Sequence, residues 1–253
     1  MSSNGYIYDG SFEGLLTCIY EAYYRHENPC FIVSDKKYKL SINGTLFSLI
    51  ETPVYIKTDL MKYNKVYNAA INKISTDALE TIYHVYLSEI PDLEIMILDY
   101  IRLGFKIGFD INKHLYDKRV LIMIKTERKV IHEVQRMLGF IRFEKNIDFF
   151  YAAYEPDHDI TSLITSHFAL RLSDQNFIIH DIKRELASIY NKHDWYITPL
   201  ARDSISVSDN ICSKYEELWK SYFVSTSISE RENLINQKRQ MPKRYWKHLP
   251  EIE

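Results

Sequence analysis

The sequence predicts an α+β protein, with two small mixed or antiparallel sheets (β-α-β-β and β-β-α-β-β) joined by a helical layer in one compact body. Three observations carry this. Apolar residues alternate with period two near the start and again after residue 140, whereas residues 58–139 follow the helical period. No long Gly/Ser/Pro linker interrupts the chain, which has seven glycines and seven prolines. With 253 residues, 46% of them hydrophobic, it can bury a full core. The expected parts are 1–57 (β-α-β-β), 58–139 (helical layer), 140–200 (β-β-α-β-β) and 201–253 (C-terminal helix and basic aromatic tail), all within one domain.

Tyr6-Ile7-Tyr8 reads as a short strand closed by the Asp9-Gly10 turn. Ser11 caps a helix in which Phe12, Leu15, Leu16, Ile19, Tyr20 and Tyr23 share one face, and Asn28-Pro29 ends it. Residues 31–33 and 46–50 read as strands around an Asn43-Gly44 turn. In the helical layer, Leu60, Tyr63, Tyr67, Ala70, Ile71 and Ile74 mark the first helix. Ser75 caps a second, and Pro91 suits the first turn of a third that ends near Gly104. Val120, Ile124, Ile131, Val134 and Leu138 line a fourth, with Gly139 just past its end. Residues 140–143 and 149–154 then form a hairpin, and Asp159 caps a helix over 160–171. Residues 177–180, 183–190 and 195–197 are strands, and a last helix around 215–223 leads into the tail.

A formal net charge of -2 and a pI near 6.5 argue against nucleic-acid binding by the field of the whole protein, so any such contact must come from a local patch. Cys18, Cys30 and Cys212 form no zinc or iron–sulfur spacing. An odd cysteine count and a start without a signal-peptide pattern point to a reducing, cytoplasmic location. No apolar run reaches the roughly 20 residues of a membrane span. No nucleotide loop, nucleophile elbow, metal site or cofactor motif is visible.

The tail from Gln240 to Glu251 interleaves cations with large aromatics. From Asn236 to His248 there are five Lys/Arg and no acid. Lys243, Arg244 and Lys247 would hold phosphates and Tyr245 and Trp246 would stack bases. The alternative is a tail that docks on the domain through its Trp and Leu with the cations solvated. A second constellation is His167 and Arg171, one turn apart, with Asp181, Arg184 and Arg142. If these converge, His167 and Asp181 are catalytic candidates on a phosphate-bearing substrate, with the arginines as anion ligands. The alternative is an ion-pair network that orders strand against helix. The acids of Glu155-Pro156-Asp157-His158-Asp159 read mainly as caps for the following helix. Ile131-His132-Glu133-Val134-Gln135-Arg136 starts like a zincin helix, but Arg136 replaces the second histidine, and His132 reads as solvated or packing. Lys125, Arg128, Lys129 and Arg136 give the fourth helix a basic stripe that gains meaning only where it adjoins the C-terminal block.

Five passages together carry a family resemblance: 8–16 (YDGSFEGLL), Glu133 with 138–143 (LGFIRF), 151–157 (YAAYEPD), His167-Phe168-Ala169 with Arg171, and 241–251 (MPKRYWKHLPE). In this combination the chain resembles the uncharacterised bacterial family of "probable DNA metabolism proteins", a domain of unknown function. The resemblance implies a role beside a radical-SAM protein of DNA modification or repair. Some members are fused to a uracil-DNA-glycosylase-like domain, and this sequence has too few cysteines for a four-thiolate cluster of that kind. The radical-SAM cysteine motif is likewise absent from it, so that chemistry would belong to the partner.

The expected function is a nucleic-acid-associated accessory protein in DNA modification or repair. Its phosphate and base contacts would be Arg142, Arg171, Arg184, Lys243, Arg244, Tyr245, Trp246 and Lys247. The alternatives are an enzyme acting on a phosphate ester or nucleobase through His167 and Asp181, and a protein-binding subunit of the radical-SAM partner.

Overall fold

The computed structural model describes residues 4–42, 53–146, 148–202, 204, 209–228 and 233–249. Helices with one parallel and one mixed sheet make the class α+β, as the sequence predicts. The chain divides into two units, residues 1–130 and 131–253.

In the first unit β1 (Tyr6–Tyr8) is the central strand of a sheet ordered β2-β1-β3, with β2 (Ile32–Ser34) and β3 (Val54–Tyr55) both parallel to it. Parallel neighbours need crossovers. α1 (Phe12–Tyr24) supplies the first, and α2 (Asp35–Ile42) follows β2. The Asn43-Gly44 turn and the strand expected over 46–50 lie outside the described residues. α2 was not foreseen because its Lys-rich sequence carries no apolar stripe. It starts where the Ser34 hydroxyl accepts the Lys37 amide at 3.3 Å.

α3 (Leu60–Lys73), α4 (Thr76–Tyr86) and α5 (Leu93–Ile107) begin and end largely where the pattern predicts. Ser11, Asp59 and Ser75 each accept an amide of the first turn of the following helix. The helices pack Leu15, Leu16, Ile74, Ile82, Ile97 and Ile101 around Tyr6 and Tyr8, while Ile7 joins Phe31 and Val33 in a smaller cluster. Helix α5 runs past Gly104 to a cap at Gly108 (φ 82°). Gly104 serves packing instead, since a Cβ there would lie 2.6 Å from Ile74 Cδ1.

The second unit contains the C-terminal part of α6 (Lys118–Phe140). A five-stranded sheet follows, ordered β4-β5-β6-β7-β8 from β4 (Glu144–Lys145), β5 (Phe150–Tyr154), β6 (Phe177–Asp181), β7 (Leu186–Tyr190) and β8 (Trp195–Pro199). Only β5 and β6 are parallel, and α7 (Thr161–Arg171) makes their crossover. This helix buries Thr161, Ile164, Thr165 and Phe168, one stripe at i, i+3, i+4 and i+7. Phe168 and Phe177 meet Phe143 edge-on, with ring centroids 5.0 and 5.7 Å from it. Two boundaries differ from expectation. Helix α6 continues through Gly139 and Phe140, so the strand starts at Glu144, and residues 182–185 turn before the ladder resumes at Leu186. α8 (Asp209–Thr226), α9 (Leu234–Gln240) and a 3-10 turn over Lys243–His248 complete the unit.

The Asp9-Gly10-Ser11 turn that joins β1 to α1 closes around Gly14. Asp9 accepts the Ser11 amide (2.9 Å) and hydroxyl (2.6 Å) and the Thr58 hydroxyl (2.6 Å). A Cβ on Gly14 would lie 2.2 Å from Asp9 Oδ1 and 2.9 Å from Thr58 Oγ1, two atoms already held by these bonds. Gly14→Ala is therefore expected to cost about 1–3 kcal/mol through overpacking. A lowered urea midpoint at unchanged m-value would register it, and an unchanged midpoint would show that the turn yields.

Candidate functional site

The C-terminal segment is bound to the second unit by its alternating charges and rings. Pro242 leads into the 3-10 turn, which turns Tyr245 inward, where it is 3% exposed. Its hydroxyl donates to Glu133 Oε1 at 2.6 Å. Glu133, itself 4% exposed, also accepts the backbone amides of Asp157 (2.6 Å) and His158 (2.8 Å). Arg244 pairs with the Asp157 carboxylate at 2.5 Å and lays its guanidinium 4.7 Å from the Tyr245 ring centre. Lys247 pairs with Glu155 at 2.6 Å, and Arg202 and His248 approach the same carboxylate at 3.5 and 4.0 Å. Leu249 is buried beyond them. Glu155 and Asp157 thus receive the tail, and the N-cap position of α7 is Ile160, which makes no side-chain cap bond.

The second predicted constellation is divided. Asp181 is fully buried and pairs with Arg184 at 2.8 Å. Burial pushes the Asp181 carboxyl above the usual carboxylate range, against the pull of Arg184. Arg184 also donates to the carbonyls of Pro156 (3.3 Å) and Asp157 (2.8 Å), tying the end of β6 to the loop that holds the tail. His167 and Arg171 are exposed, because α7 turns Ile164 and Phe168 to the sheet and these two away. Among the described residues, no hydrogen bond or ion pair joins either of them to Asp181. The His167 ring instead lies edge-on to Phe168. Arg142 donates to Gly139 O at 2.7 Å and stands 5.1 Å above the Trp219 ring. His180, which the sequence did not single out, is wholly buried between the Tyr151 hydroxyl (2.8 Å) and Leu200 O (3.1 Å).

Where α6 passes α9 a cleft of about 420 Å³ opens, lined by His132, Gln135, Arg136, Gly139, Phe140, Gln237, Gln240 and Met241. The sequence places these side chains by helical spacing: positions 132, 135, 136 and 139 fall on one side of α6, and 237 and 240 lie one turn apart on α9. Among the described residues, the side chains of His132, Gln135, Arg136, Gln237 and Gln240 make no hydrogen bond or ion pair. Their polar groups line the cleft. Phe140 leans on Tyr245, ring centroids 6.1 Å apart. Next to the lining residue Met241, Trp246 donates its indole N–H to Met241 O at 2.8 Å, and Lys243 lies 5.8 Å from the indole centre. Arg136 therefore does adjoin the C-terminal block, which was the condition for reading its helix as more than a solvated face. The glutamines gave no sequence signal, since isolated Gln residues on a polar helix are ordinary.

Among the described residues, no group of His, Cys, Asp and Glu is placed to hold a metal ion, and no helix is long and apolar enough to cross a membrane. Fold and site together define an α+β protein with a polar, partly cationic cleft beside a docked C-terminal segment. A family model describing a domain of unknown function, DUF4130, matches residues 91–251, well over half of the chain, and the chain belongs to that family. Curated proteins and solved structures give no match.

The docked tail should respond to mutation and to acid. Tyr245→Phe removes a hydrogen bond to a buried carboxylate, about 1.5–3 kcal/mol, and tryptic cleavage after Lys243 and Arg244 should accelerate. Lys247 holds the Glu155 carboxyl below the usual carboxylate range, and burial holds His248 below the usual histidine range. Both groups bind protons more readily when the tail is released. Docking should therefore weaken as pH falls, first below the histidine value of about 6.5 and again below the glutamate value of about 4.3. Amide protection factors across residues 243–249 that stayed constant from neutral pH to about pH 3 would contradict this.

Proposed function

We propose that the chain is a nucleic-acid-associated accessory protein, and that its contact surface is the cleft between α6 and α9 rather than the whole basic tail. The observation that carries this reading is the convergence of Arg136, His132 and three glutamines, all uncommitted, on one concave surface beside Trp246 and Lys243. Several tail and loop cations have other work: Arg244, Lys247 and Arg184 each pair with a carboxylate. Tyr245 is buried and supports the site without a free face for a base. Arg136 and Lys243 are then the phosphate ligands, and Trp246 a half-buried ring beside them. Arg171 is open to solvent and available as an outlying contact. The role in DNA modification or repair, beside a radical-SAM protein, rests on the family resemblance of the five sequence passages.

A protein-binding role has one observation of its own. Helix α8 exposes Leu218, Trp219, Tyr222 and Phe223 within little more than one turn, a patch suited to a partner's apolar surface.

Fluorescence anisotropy with labelled single-stranded DNA tests the first reading. With Arg136 and Lys243 as the two phosphate ligands, log K should fall with log salt at a slope of about −1.4. Arg136→Ala should reduce affinity roughly ten-fold at low salt and bring the slope to about −0.7. Undetectable binding by the wild-type chain at low salt would remove the proposal.

A further inference from the structure

We infer that the α6–α9 cleft accepts one unpaired nucleobase with its phosphate, a nucleoside monophosphate unit rather than a stretch of duplex backbone. This rests on the nucleic-acid reading above and specifies its ligand. The first argument is size. At about 420 Å³ the cleft falls at the lower end of small-molecule sites, the range of one nucleotide and not of a paired helix.

The second argument is the lining. Gln135, Gln237 and Gln240 each offer an amide donor and an amide acceptor. A base edge presents the same alternation of donors and acceptors, and a glutamine amide matches the N6/N7 edge of adenine. Pure phosphate recognition would need donors alone, so three amides there point to an edge that both gives and accepts hydrogen bonds. Phe140 supplies a flat ring and Met241 a polarisable thioether, surfaces on which any base can lie. Arg136 would take the phosphate, with the His132 ring four residues away on the same side of α6.

The third argument concerns access. In a duplex both faces of each base are stacked and the Watson–Crick edge is paired, so the Phe140 ring would find no free face and the amides only the N6/N7 edge. An extruded or single-stranded base exposes all of these at once. The cleft also depends on the docked tail, because Phe140 packs on Tyr245 and Met241 is held through Trp246.

The test uses the full chain and three probes: oligo-dA, a strand of equal length made of abasic sites, and free AMP. Oligo-dA should bind about ten-fold more tightly than the abasic strand, the worth of one stacked and hydrogen-bonded base. The Gln237→Ala, Gln240→Ala double variant should bring oligo-dA several-fold closer to the abasic level, Phe140 and Gln135 keeping the remainder, and leave abasic binding unchanged. Both glutamines lie on a helix with no buried residue, so the fold should survive. AMP should displace oligo-dA from the wild type and bind the double variant detectably more weakly, which would extend the site to the free nucleotide. Equal, salt-dependent affinity for both strands would overturn this inference while leaving the nucleic-acid role intact. AMP binding unaffected by the double variant would overturn it as well. Failure of both strands to bind would remove both readings.

Discussion

The second unit depends on one buried carboxylate. Glu133 takes three donors from two distant parts of the chain: the amides of Asp157 and His158, and the hydroxyl of Tyr245. A carboxylate out of water costs several kcal/mol unless its lone pairs are filled, about which point the three bonds leave little deficit. The same contacts set the geometry of everything nearby. They fix the loop after β5 against α6, they draw the tail into the unit, and through Tyr245 they seat Phe140 at the floor of the cleft.

Around that carboxylate the charges are sorted by distance from an acid. Arg184 finds Asp181, Arg244 finds Asp157 and Lys247 finds Glu155. These pairs hold the segment to its loop and remove three cations from any binding surface. Arg136, in the wall of the cleft, and Lys243, over the Trp246 ring, are left without acidic partners among the described residues. Among the described residues, a chain of net charge -2 thus keeps these two cations unneutralised.

The first unit is held in a different way. Tyr8 passes its hydroxyl to the buried Glu94 at 3.2 Å, with the Lys37 ammonium 3.6 Å from the same oxygen. Burial raises the Glu94 carboxyl above its usual range, against the pull of Lys37. At the same end of β1, Asp9 binds Ser11 and Thr58, so the polar groups at the strand's carboxyl end satisfy one another. That closure fits the reading of the Asp9-Gly10-Ser11 turn as a turn and cap.

What could be read from the sequence was local. Apolar spacing determined where α1, α3, α4 and α7 lie, and Ser11 and Ser75 announced their helices, because both signals involve residues within a turn or two of each other. The pairing of Asp181 with Arg184, three residues apart, was within the same reach. The parallel order of the first sheet, the role of Gly104 against Ile74 and the separation of His167 from Asp181 depended on how elements pack. So did the joining of Tyr245 to Glu133 across 112 residues. Cations and glutamines look alike in a sequence whether they are neutralised, solvated or gathered around a cleft. Only the folded chain decides, because electrostatic and hydrogen-bond partners are chosen by distance in space.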